Sequence, residues 1–144
     1  MTIFCSAIPS GHIRNVLVEI LPQLDRAAAV TNGRNVTDDL IGDLIAETQV
    51  LWCAFDAERN NKIIGIVITK IVDYRRRRMM NIVFCAGFEM HSWRKDMFGK
   101  IEQFAKDQSC SGLEFIGRKG WAPVLEEHGM KPTYWMFEKT FEGE

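Results

Sequence analysis

At 144 residues, with 18 basic and 19 acidic side chains and a formal charge of −1, the chain has the size of one domain and no overall field to draw it to nucleic acid or an anionic membrane. Such a length buries about two thirds of the surface its unfolded chain exposes. The opening MTIFCSAIPSGH lacks the basic segment and apolar run of a secretory signal, and no stretch approaches the ~20 apolar residues of a membrane span; a soluble, cytoplasmic protein is expected.

An N-terminal strand is expected first, and SGHIRNVLVEILPQLDRAA then places Ile13, Val16, Leu17, Ile20, Leu21 and Leu24 at helical spacing, with Ser10 as a cap and Pro22 as a kink or end. VTDDLIGDLIAE predicts a short second helix capped by Thr37, with Asp38 and Asp39 complementing its dipole. QVLWCAFD, KIIGIVITKIVDY and MMNIVFCAGFEM are rich in β-branched and aromatic residues and predict three antiparallel strands joined by the short turns AERNN and RRRR. Gly87, inside the third of these, predicts a bulge.

Met97, Phe98, Ile101, Phe104 and Ala105 form the apolar face of a further helix. GLEFIGR reads as a strand, GWAPVLEEHGM as a short helix closed by Gly129, and PTYWMFEKTF as a last strand. The expected order is β-α-α-β-β-β-α-β-α-β, a single α/β (α+β) domain over residues 1–144. Its nearly continuously apolar strands require helices on both faces of a mixed, twisted sheet.

Cys5, Cys53, Cys85 and Cys110 are widely spaced, with no C-x-x-C pair and no histidine at ligand spacing, so no metal is expected. Cys53 and Cys85 sit in apolar runs and read as small buried hydrophobes. The run Arg75 to Arg78 is either a solvated hairpin turn or a phosphate or partner contact; without interleaved aromatics it does not predict nucleic-acid binding. Trp93 and Trp121 flank helix starts, as packing residues or as a wall of an acyl site.

The element order, together with the polar turn before the helix near residue 95, resembles the GNAT family, the GCN5-related N-acetyltransferases, over almost the whole chain. In that family a [QR]-x-x-G-x-[GA] signature holds the pyrophosphate of acetyl-CoA on backbone amides at a helix N-terminus. The matching residues are Arg94, Lys95, Asp96, Met97, Phe98 and Gly99, with Met97 in place of the middle glycine. The resemblance implies a sheet of six to seven strands, acetyl-CoA as cosubstrate, and contacts from these six residues with Phe88 and Lys100. VLEEHGMKP resembles the family's YEKxGF segment, with Leu125 where many members carry a tyrosine that protonates the departing thiolate.

Transfer to an amine needs a neutral nucleophile, and an amine of pKa near 10.4 is neutral in only roughly one molecule in a few thousand at pH 7. Glu89 and His91, at the end of a strand beside the implied thioester, are the candidate bases; a solvated strand end and a surface imidazole are the rival readings. Tyr134 is the candidate acid for the thiolate, or a member of an aromatic cluster with Trp135 and Phe137. Two functions follow from the resemblance. One is an acyl-CoA-dependent N-acetyltransferase acting on a small-molecule or protein amine. The other is a catalytically eroded GNAT-like protein acting as a structural or interaction component, with protein partners or as a homo-oligomer, similar to small members in tailed bacteriophages, in the host cytoplasm or carried in the virion.

Overall fold

The computed structural model describes residues 2–31 and 33–141. Strand β1 (Ile3–Ile8) leads through a tight turn into helix α1 (Ile13–Ala29) and helix α2 (Thr37–Ile45). Strands β2 (Val50–Asp56), β3 (Lys62–Asp73) and β4 (Arg78–Gly87) follow, then helix α3 (Arg94–Asp107), strand β5 (Gly112–Phe115) and helix α4 (Ala122–Glu127). Among the described residues no helix is long and apolar enough to cross a membrane.

Local chemistry accounts for most boundaries and corrects three expectations. Pro22 lies inside α1 rather than ending it. Proline frees the carbonyl four residues back, and that residue, Val18, is exposed, so water can satisfy the group. Ser10 does not cap α1: its hydroxyl donates to Glu47 at 2.6 Å, across to the end of α2. Thr37 is already helical and its hydroxyl donates to Asp25; Asp39 instead accepts from the backbone N–H of Val36 at 2.9 Å at the helix start.

The sheet has the order β1-β2-β3-β4-β5, antiparallel except for the parallel β4–β5 pair. Side chains alternate between two cores. Leu51, Cys53, Ile66 and Ile68 pack with Ile13, Ile20 and Leu24 of α1 and Leu44 of α2. Trp52, Val67, Met80, Ile82 and Cys85 pack under Met97, Phe98 and Ile101 of α3 on the other face. The bulge in β4 falls at Val83, skipped between the Ile68–Phe84 and Thr69–Ile82 pairs, and not at Gly87. Gly87 is required for a different reason: it faces Gly65 across β3, with φ +153°, and a Cβ there would meet the Ile64 carbonyl oxygen at 2.3 Å.

Five strands are present among the described residues, not six or seven. Among the described residues the expected last strand, PTYWMFEKTF, joins no sheet, and residues 131–141 make no backbone-to-backbone hydrogen bonds. Strand propensity reports fit to a half-buried pleated surface, and this segment is exposed, with side-chain contacts of Glu138 to Arg34 at 3.1 Å and of Trp135 to the Lys119 ammonium.

Candidate active site

β4 and β5 pair only from Met79–Gly112 to Ile82–Phe115, and β4 then runs on alone from Val83 to Gly87. The bulge begins where the pairing ends, and beyond Ile82 the outer edge of β4 has no strand beside it among the described residues, an opening at the edge of the sheet. Phe88 N–H donates to the Ile64 carbonyl at 2.7 Å. By antiparallel alternation, the N–H and C=O groups of Cys85 and Gly87 therefore point away from β3, into the opening.

The segment from β4 to α3 is pinned by Trp93. Its indole lies on Gly65, where a Cβ would come within 2.3 Å of the ring, and its Nε1–H donates to the Phe88 carbonyl at 2.9 Å. Glu89, with φ +50°, starts a single tight turn closed by Ser92 Oγ on the Glu89 carbonyl at 2.6 Å. The Glu89 carboxylate lies 3.7 Å from Arg59, whose Nε is 3.2 Å from Asp56, buried at the end of β2. His91 is exposed and makes no hydrogen bond or ion pair among the described residues; Phe88 is likewise exposed.

Helix α3 has no side-chain cap, and its first α-helical bond is Met97 N–H to the Trp93 carbonyl at 2.9 Å, leaving the amides of Arg94, Lys95 and Asp96 as donors. Such an end favours an anion through both its free N–H groups and the helix dipole. Asp96 opposes that preference but is paired with Lys100 at 3.3 Å, and Lys100 also donates to the Cys5 carbonyl at 2.8 Å. The side chains of Met97 and Phe98 are buried in the core beneath α3, on its expected apolar face. Gly99 faces open space, where a Cβ would meet no other part of this chain within 4 Å.

α4 closes against this end. Glu127 holds the Arg94 guanidinium at 2.7 Å, a carboxylate standing in for an anion at the mouth of the helix. The ring of His128 meets Phe98 edge-on at 4.7 Å, and its Nε2 is enclosed without a hydrogen-bond partner. Loss of solvent, and then the nearby Arg94 charge, hold His128 below the ordinary histidine pKa. The unfolded chain consequently binds more protons near pH 6, so the stability His128 contributes is present above about pH 6.5 and is lost as pH falls. The unfolding midpoint is expected to drop between pH 7 and pH 5, and His128→Gln to flatten that dependence; an unchanged slope would remove His128 as its source.

Tyr134 is exposed, as is Tyr74, whose hydroxyl bonds Glu114 at 2.8 Å beside Asn81. Asn81 is six residues, roughly 20 Å, up β4 from Gly87. Glu114 and Asn81 also alternate with the residues beneath α3 and so face α1 and α2. Burial pushes the Cys5, Cys53 and Cys85 thiols up to about 12, and loss of solvent raises the partly buried Cys110 as well.

The chain as a whole has counterparts among solved structures. A GCN5-related N-acetyltransferase from Ralstonia eutropha superposes with a TM-score of 0.69 at 11% identity, over 96% of this chain and 99% of that one. A predicted acetyltransferase from Clostridium acetobutylicum, solved with acetyl-CoA, gives 0.68 at 16%, over 96% of each chain. Glucosamine-6-phosphate N-acetyltransferase from Arabidopsis thaliana gives 0.69 at 17%, over 99% of this chain and 100% of that one. The fold is that of the GNAT acetyltransferases. Comparison with protein-family models and with curated proteins finds no match to the sequence.

Arg94 and Lys95 stand at the start of α3, while Phe115 and Trp121 are partly buried, packed on each other and against the core beneath α3. Arg59, Glu127 and His128 were not singled out from sequence. Glu127 and His128 lie inside the segment that carried the family likeness, but their contacts with Arg94 and Phe98 span about thirty residues and have no local signature.

Proposed function

We propose that this protein is an acyl-CoA-dependent N-acyltransferase that moves acetyl from acetyl-CoA to an amine. The observation that carries the reading is the uncapped start of α3, with Arg94 beside it, at the mouth of the opening between β4 and β5. Acetyl-CoA supplies the activated thioester. The amides of Arg94, Lys95 and Asp96, with the Arg94 and Lys95 side chains, hold its pyrophosphate, and the free edge of β4 at Cys85 and Gly87 receives its extended arm. The amine nitrogen bonds to the acetyl carbon as the C–S bond breaks. Glu89 or His91 takes the proton that the amine loses, and the thiolate is protonated by Tyr134 or from solvent, since Leu125 carries no proton.

Structures of this fold include the glucosamine-6-phosphate enzyme above and an aminoglycoside acetyltransferase in complex with sisomicin, and an amine acceptor is accordingly assigned here. A second reading, a GNAT domain without catalysis that serves as an interaction component, is favoured by the carboxylate already on Arg94 and by Leu125.

Acetyl-CoA at a hundred times its Kd is expected to add ~2.7 kcal/mol, or roughly 5–11 °C in the unfolding midpoint. No shift at millimolar acetyl-CoA would overturn the enzyme reading in favour of the second. Glu127→Gln frees Arg94 from an exposed ion pair of about 0.2–1 kcal/mol, so acetyl-CoA binding should tighten by up to about fivefold. Weaker binding by this variant would show that Glu127 holds the site open rather than competing for it.

A further inference from the structure

β3 is longer than the helix that packs on it. Its 12 residues extend roughly 40 Å, whereas the 14 residues of α3 rise only about 21 Å. Where the last turns of α3 run out over the sheet, a cavity of about 230 Å³ lies between them. Val50, Ile71 and Met80 of the sheet and Phe104 of α3 line it with apolar side chains, and the exposed Glu47 and Lys70 stand at its rim.

One polar side chain lies among the apolar ones. Thr69, 0% exposed and paired with Val50 across β2, also lines the cavity. Its Oγ accepts from the Trp52 indole Nε1–H at 3.0 Å, and its own hydroxyl proton finds no acceptor among the described residues. Trp52 is in turn held edge-on by Phe104 at 5.6 Å, so the core fixes the hydroxyl in place. A buried donor left without a partner is costly, and native proteins rarely keep one. The side chains beside Thr69 are apolar, so a water there has few of the two to four polar partners that hold a buried water.

We infer that this cavity binds a small neutral molecule of one or two rings that presents an acceptor oxygen, as a ketone or lactone does, to the Thr69 hydroxyl. Size sets the ring count: an apolar cavity of about 150 Å³ takes one benzene ring, and the volume here leaves room for a ring with a polar substituent or a second ring. Charge sets neutrality, because the rim carries one charge of each sign and the interior none, so an ion drawn inside would lose water without gaining a counterion. Phe104 and the adaptable thioether of Met80 offer the ring its contacts. Phe104 is ten residues, about 15 Å, along α3 from Arg94, and the inference does not depend on the acyl-transfer reading.

Titration of the full chain with acetophenone tests it, with α-methylstyrene as a probe of the same shape that lacks the oxygen, both read from the methyl resonances of Ile71 and Met80. Acetophenone is expected to shift both methyls saturably and to bind roughly three- to tenfold more tightly than α-methylstyrene, the worth of one hydrogen bond. Thr69→Val keeps the shape without the donor and should make the two probes equal. That variant also strands the Trp52 N–H, so Ile71→Trp, at a position 36% exposed, serves as a second variant that fills the cavity from its edge and should abolish the Met80 shift. No saturable shift up to the solubility of acetophenone overturns the inference and leaves the cavity to water. Equal affinities in the unaltered chain, a preference that persists in Thr69→Val, or binding that survives Ile71→Trp overturns it as well.

Discussion

Trp93→Ala is expected to cost about 3–5 kcal/mol, the range for a large aromatic removed from a core, and to lower the unfolding midpoint by roughly 10–20 °C. The indole is 1% exposed and lies flat on Gly65, a contact that no other residue at position 65 would permit. It also ties three elements together: Nε1–H reaches the Phe88 carbonyl at the end of β4, while the Trp93 carbonyl receives both the first helical N–H of α3 and the Cys5 thiol of β1. Loss of the ring therefore loosens the start of α3 as well as the core. Trp93→Phe keeps most of the bulk and forfeits the hydrogen bond, at about 1 kcal/mol plus repacking. Thermal unfolding followed by circular dichroism measures both. A loss below about 1 kcal/mol for the alanine variant would show that the loop between β4 and α3 is held by something else.

The same residue shows which parts of the molecule can be read from sequence. The apolar face of α3 follows from spacing alone, because Met97, Phe98, Ile101 and Ala105 recur at helical intervals and each is buried. β2, β3 and β4 are legible because β-branched residues run between short polar turns, and Gly129 ends α4 in the left-handed region, φ +79°, as a C-terminal glycine should. The misses arise where the deciding partner is remote. Pro22 reads as a helix breaker until the exposure of Val18 is known. Glycine is a local signal that points to Gly87, whereas the bulge at Val83 coincides with the end of the pairing to β5, which joins the sheet some thirty residues later. PTYWMFEKTF has every local mark of a strand, and what distinguishes it is that it pairs with no strand among the described residues.

The chemistry divides in the same way. The turn before α3 is legible as an anion site because free N–H groups and a dipole follow from any helix start. What tunes that site does not follow from it. Glu127 on Arg94 and Arg59 beside Glu89 are ion pairs between residues about thirty positions apart. Each sets a charge of one sign against a proposed functional group of the other. Both side-chain pairs are partly exposed, so each can be displaced by a ligand without the cost of stranding a buried charge.

Met97→Gly would install the glycine found in the GNAT signature, and it is expected to harm the protein rather than improve its anion site. Met97 is 0% exposed, beneath the first turn of α3 against the sheet. Truncating a buried methionine to the β-carbon costs about 2–5 kcal/mol, and glycine in place of alanine within a helix adds about 1 kcal/mol more. The total, about 3–6 kcal/mol, is comparable to the whole stability of a small domain, about 5–15 kcal/mol. Acetyl-CoA binding should not gain, because the side chain that glycine would remove points into the core and leaves the amides of Arg94, Lys95 and Asp96 unobstructed. Parallel measurements of urea unfolding and of the acetyl-CoA-induced shift decide this. A stable Met97→Gly variant that bound acetyl-CoA more tightly would mean that the methionine blocks the phosphates. A variant that loses stability without tighter binding would mean that this helix holds an anion by its free amides and Arg94, with the glycine position given over to the core.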